Sequence, residues 1–225
     1  MKNLNLIMAI LILSVSSHSY AEANKGRFFQ GKGNSNVQTQ ELTAEEQDDL
    51  VYMREEEKLA RDVYLTFDEY FDLNIFSNIA SAEQKHMDSV KPLLDKYELT
   101  DPTADDTIGT FSNTEFSEFY KSKAHNDVTL NQAILTGILI EETDIIDLQK
   151  AIDSTDKADI QNLYGNLLKG SRNHLRAFVR RLESMGVVYE AMVLDQSVAD
   201  SIVNSSMERG SSKGKGKQRK GRRWN

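Results

Sequence analysis

Apolar residues recur at alternating steps of three and four along four long stretches of the chain, the spacing that lines one face of a helix turned toward a core. The first seam reads Leu50, Met53, Glu57, Ala60, Tyr64, Phe67 and Phe71; the second, Ile75, Ile79, Glu83, His86, Val90 and Leu93. The third reads Ile134, Ile138, Glu141, Ile145, Leu148 and Ile152, beside a neighbouring stripe of Leu135, Leu139, Glu142 and Ile146. The fourth reads Ile160, Leu163, Leu167, Ser171, His174, Phe178 and Leu182. These seams predict four long helices. The first opens at a Thr43–Glu46 capping box and runs to about Phe71, and the second covers Asn74–Tyr97. The third is capped by Asp127 and runs to about Asp153; the fourth begins at Thr155 or Asp156 and ends at Met185, with Gly186 as its stop. Leu99–Asn113 has loop chemistry, and Thr114–Lys123 reads as a short amphipathic helix with Phe116, Phe119 and Tyr120 on its apolar side. The fold class is therefore all-α, with one long crossover between the second and third long helices.

Every seam is interrupted by groups that water should hold. Glu57 stands in the first, Glu83 and His86 in the second, Glu141 in the third, and Ser171 with His174 in the fourth. Burying an ionised carboxylate without a partner costs several kcal/mol. A metal ion is the economical compensation, and Glu83-x-x-His86 has the spacing of ligand pairs in bundle-core di-metal sites. A metal-free polar network is the alternative, but carboxylates packed together raise one another's pKa unless cations intervene. Periodicity does not choose between Glu141 and Glu142, and Asp144 lies one turn from Glu141 on the same side. Tyr64 and Tyr164 lie near the same depth, where either packs in the core or hydrogen-bonds a carboxylate. Glu55 and Glu56 point elsewhere and are expected in water, as are Arg172, Arg176, Arg180 and Arg181.

Four ordered segments carry a resemblance: Glu-Glu-Glu-Lys-Leu-Ala-Arg-Asp-Val-Tyr (55–64), Ala-Glu-Gln-Lys-His (82–86), Ile-Glu-Glu-Thr-Asp-Ile (140–145) and Gly-Ser-Arg-Asn-His-Leu-Arg-Ala-Phe (170–178). Over about residues 44–185 the chain resembles the ferritin-like superfamily and, within it, the family catalogued as domain of unknown function 2202. Glu57 with Arg61 and Tyr64 is also similar to the first helix of rubrerythrins. The resemblance implies a ferritin-like four-helix bundle whose metal ligands are Glu57, Glu83, His86, Glu141 and His174. Where such sites usually carry a second Glu-x-x-His, this chain has Ser171-x-x-His174. Three glutamates do not balance two divalent ions. Glu142 or Asp144 supplies a fourth carboxylate, or a bound hydroxide does, or one metal binds. Ser171 offers a hydrogen bond to a ligand in place of a carboxylate.

Charge and composition add the setting. Of 27 Lys and Arg, eight crowd into Arg209–Arg223, whereas all 35 Asp and Glu lie in residues 22–208. An acidic body argues against nucleic acid as partner. Cysteine is absent, which excludes disulfides, thiolate metal sites and iron–sulfur clusters. Residues 1–21, with Lys2, an apolar run over Leu4–Val15 and Ser19-Tyr20-Ala21, read as a cleaved secretory signal, an uncleaved anchor being the competing reading. No other segment is apolar enough to span a bilayer. A flexible lead (22–42), the bundle (43–186), an extension (187–208) that covers one bundle end with a short helix, and a disordered basic tail (209–225) complete the domain plan.

The expectation is an exported periplasmic or secreted protein with two Fe ions, or Mn, that reacts with oxygen or peroxide in a ferroxidase- or peroxidase-like way. In it Glu57 and Glu141 are terminal or bridging ligands, Glu83 bridges, and His86 and His174 each hold one ion. A non-enzymatic bundle for metal buffering, sensing or partner binding is the alternative. The basic tail is suited to anionic surfaces, and a homodimer is open.

Overall fold

In the computed structural model of the protein, residues 41–209 are described. The signal at 1–21, nearly all of the lead and the tail beyond its first residue lie outside them. The described residues form six helices and no strand: α1 (Ala44–Phe71), α2 (Asn74–Lys96), α3 (Thr114–Lys123), α4 (Leu130–Ser154), α5 (Ala158–Ser184) and α6 (Gln196–Val203). No helix among them is long and apolar enough to cross a membrane.

Helix starts follow local hydrogen-bond chemistry. At α1, Glu46 N donates to Thr43 Oγ1 at 3.1 Å and Thr43 N donates to Glu46 Oε2 at 2.8 Å, the reciprocal box expected from the sequence. α4 starts at Thr129 rather than Asp127, because Thr129 and Gln132 form a second such box, which satisfies donors in both directions. α5 starts after Lys157, two residues later than the Thr155 cap expected at the earliest. The Thr155 hydroxyl donates instead to Glu46 Oε1 at 2.6 Å, tying the α4–α5 turn to the start of α1. Gly186, at φ +79°, ends α5 in the left-handed region that glycine enters without strain.

α1 packs against α2 and α4, and α5 against α4 and α2, so each long helix has two long neighbours. The α1–α2 and α4–α5 turns are short, whereas α2 and α4 are joined by the long stretch of residues 97–129, which contains α3.

The crossover corrects one expectation. Glu55 and Glu56 are buried, because the returning chain and α4 cover the α1 surface that a lone amphipathic helix would leave wet. Glu55 accepts hydrogen bonds from the Ser112 and Asn113 amides. Lys58 Nζ donates to Asp62 Oδ2 (2.6 Å), Thr107 O (2.9 Å) and Thr110 O (3.1 Å). Arg54 forms a two-bond fork with Asp101, and Arg61 reaches Asp106 at 2.7 Å.

Arg176 is a second correction. It is buried, not on a solvated face, since the chain after α6 folds over it. Its guanidinium donates to Ile202 O (2.8 Å), Ser205 Oγ (2.6 Å), Asn173 Oδ1 (2.8 Å) and Glu208 Oε1 (3.0 Å). Arg172 donates two further bonds to Glu208. α6, at 196–203 in the extension, packs on α5.

Candidate metal centre

Five polar seam residues come together between the four long helices. α1 supplies Glu57, α2 Glu83 and His86, α4 Glu141 and α5 His174. The three glutamates are each only 2 % exposed. Aliphatic layers lie toward one end of the core (Met53, Val90, Leu148, Leu167) and an aromatic layer toward the other. In that aromatic layer Phe76 lies 5.4 Å from Phe67 and 6.0 Å from Phe178, between ring centroids. A carboxylate in such surroundings can be solvated only by its neighbours.

Glu83 is the hub. One of its oxygens lies 2.7 Å from His86 Nδ1, and the other lies 2.8 Å from His174 Nδ1. Glu57 Oε2 stands 3.1 Å from His86 Nδ1, and Glu141 Oε2 stands 3.4 Å from His174 Nδ1. The result is two three-residue groups, Glu57–Glu83–His86 and Glu83–Glu141–His174. Within each, the candidate ligand atoms fall within 4.8 Å of one another. The imidazoles stack with centroids 5.5 Å apart.

These atoms are close without being well paired. Glu57 Oε1, Glu83 Oε1 and His174 Nδ1 are buried and have no hydrogen-bond partner among the described residues. For Glu83 Oε1 and His174 Nδ1 this holds despite their 2.8 Å separation, because the directions are wrong for a hydrogen bond. Buried polar atoms that lie side by side and miss each other are left short of a partner. A cation satisfies that arrangement, and either group could hold one.

Electrostatics reports the same crowding. Burial pushes Glu57 up to about 7 even though His86 pulls it down, and burial also raises Glu141 against the pull of His174. Glu83 moves the other way: burial would raise it, but the two imidazoles hold it well below the carboxylate range. Burial opposes the charge on His174, yet Glu83 and Glu141 lift it to about 10; Glu57 and Glu83 lift His86 in the same way.

The remaining candidates sort themselves by hydrogen bonding. Tyr64 donates to Glu141 Oε1 at 2.6 Å, fixing that carboxylate from outside the group. Ser171 donates to Asp144 Oδ2, which leaves buried Asp144 Oδ1 unpartnered. Burial, followed by Glu57 and Glu141, raises Asp144 well above the usual range. Glu142 turns out of the centre. It accepts bonds from the Met192, Val193 and Leu194 amides at 2.8, 2.7 and 3.0 Å and from Tyr189 at 2.6 Å. Between the neighbours, Glu141 is thus the one that joins the cluster. Tyr164 is buried with its hydroxyl unpartnered and belongs to neither group.

Sequence reasoning missed Glu56, whose Oε2 is also buried and unpartnered; burial, then Asp144 and Asp147, raises it well above the carboxylate range. A stripe of cations at Arg54, Lys58 and Arg61, facing an acidic loop that holds Asp101 and Asp106, was the available signal that this side of α1 is covered.

Comparison with known proteins finds a relative and a family that are both described as uncharacterized. It is 49% identical over 177 residues to the uncharacterized protein MJ0754 of Methanocaldococcus jannaschii, a match covering 78% of this chain and 96% of the relative. The crystal structure of hypothetical protein MJ0754 from Methanococcus jannaschii matches with a TM-score of 0.73 and 48% identity, over 77% of this chain and 100% of that one. Residues 46–206 match the family described as an uncharacterized protein domain, DUF2202. That segment contains both three-residue groups, and the chain belongs to the DUF2202 family.

Proposed function

We propose that this is an exported ferritin-like four-helix bundle whose centre binds two ions, iron or manganese, and reacts with oxygen or peroxide. The observation that carries the reading is the pair of three-residue groups sharing Glu83, with three of their buried polar atoms left unpartnered. Carboxylate and imidazole donors without thiolate suit Fe and Mn. When bound, such a pair supplies electrons to oxygen or peroxide.

The protein's own residues have distinct tasks. Glu83 would give one oxygen to each half, and Glu57 from α1 and Glu141 from α4 would close the halves. Tyr64 holds Glu141 in place, as a partner outside the ligand set must if the carboxylate is not to swing. His86 and His174 present Nδ1 to the centre, so each must release its proton before that nitrogen can bind an ion. Asp144, oriented by Ser171, would supply the fourth negative charge that two divalent ions require, once their charge displaces the proton that burial favours on it. The apolar run at Leu4–Val15 supports export.

Elemental analysis of protein from its own compartment, followed by anaerobic Fe(II) loading, tests the proposal. Two ions per chain and an absorbance change on admitting oxygen or peroxide are expected. Glu83→Ala, which removes the shared ligand, should abolish both. Unchanged metal content in Glu83→Ala and His86→Ala would remove the basis of the reading. Two ions with no oxygen- or peroxide-dependent change would leave a metal buffer or sensor.

A further inference from the structure

Gly170 lies on α5 one turn before His174, and the His86 ring of α2 rests against its backbone. A Cβ at this position would lie 2.3 Å from His86 Cε1 and 2.4 Å from Nε2, closer than side chains tolerate. The imidazole is a stiff plane in which the crowded Cε1 is bonded to Nδ1, and Nδ1 is already committed to Glu57 and Glu83. It cannot retreat from a methyl group at 170 without drawing that nitrogen out of the centre. Gly170 is also fully helical, so no left-handed backbone demands a glycine there. Glycine in a helix interior carries a stability cost that alanine avoids.

We propose that Gly170 is the positioning residue of the His86 half of the centre: the missing side chain is the space that lets His86 reach Glu57 and Glu83. The inference deepens the di-metal reading and rests on it for its functional meaning. Gly170 touches no ion itself. It decides whether the chain holds two ions or one, because Glu141 and His174 of the other half are not hydrogen-bonded to His86, although the two halves share Glu83.

Gly170→Ala tests this with readouts that separate it from the metal assignment. With Mn(II), the parent protein should bind two ions and show an exchange-coupled paramagnetic spectrum. Gly170→Ala should weaken the second ion by about 10- to 100-fold and show the six-line spectrum of an isolated Mn(II). Two ions bound with unchanged affinity in Gly170→Ala would overturn the proposal. Melting temperatures supply the metal-free arm. Gly170→Ala should lower the Tm of the apoprotein while His86 is present. It should raise Tm in a His86→Ala background, where alanine is simply the better helix former. The same sign in both backgrounds would overturn the proposal whatever the metal content. If neither protein binds metal but the sign reverses, the packing role stands and the di-metal reading fails. His86→Ala with Gly170→Ala lacks the clash, so this arm does not depend on the single variant folding.

Discussion

Glu141 and Glu142 are chemically identical and adjacent, yet a step of about 100° around α4 gives them unrelated work. Glu141 faces the centre and Glu142 gathers three amides and a phenol from residues 189–194. Their substitutions should therefore separate cleanly. Glu142→Ala leaves those donors without an acceptor and should destabilise the protein by about 2–4 kcal/mol, read by denaturant unfolding, with metal content unchanged. Glu141→Gln should do the reverse, removing metal by elemental analysis while stability of the apoprotein moves by about 1 kcal/mol or less. Periodicity in the sequence left these two residues level because it reports which face is buried, not what covers it. The same blindness hid Glu55 and Glu56. By contrast, Glu57, Glu83, His86 and His174 were legible because each breaks an otherwise apolar stripe near the same depth.

Two segments outside the long helices are held by ions rather than by apolar packing alone. The crossover is pinned to α1 through Arg54, Lys58 and Arg61, and the end of the described chain is pinned to α5 through Arg172 and Arg176. At the second, the hydrogen bond from Arg172 is the main reason that the Glu208 carboxylate is lowered to about 2; burial opposes it and Arg176 assists. A lowered folded-state value means that this carboxylate contributes its full stabilisation above the ordinary value of 4.5. The contribution is lost as pH falls toward about 2. Protection factors for amide exchange in α6 and residues 204–208 should accordingly fall across that window. Glu208→Gln should exchange faster already at neutral pH and lack the pH step. The helix boundaries were legible wherever a capping box or glycine stop marked them. The burial of Arg176 was not, because nothing local announces that a segment some 30 residues later will return.

At the scale of the molecule, the centre joins all four long helices, so any ligand that binds the folded state alone must stabilise the bundle as a unit. At an ion concentration a hundredfold above its dissociation constant, one site contributes about 2.7 kcal/mol. Chelation of the loaded protein should lower Tm by roughly 5–10 °C for a domain of this size. A calorimetric scan with and without chelator checks this, and an unchanged Tm would count against occupancy. The all-helical class and the order of the helices could be read from the sequence, because long periodic runs and their punctuation determine them. Which helices touch could not be read there, since adjacency is decided by the path of the connection.

Glu83 places one oxygen toward each imidazole, so a single rigid group has two neighbours to satisfy. Whatever first draws on one oxygen alters the charge and tilt offered to the other. On the proposed two-ion reading filling would be coupled, so a calorimetric titration should depart from two independent, equal steps. Replacing Glu83 by a residue able to serve one neighbour only should reduce the isotherm to a single step.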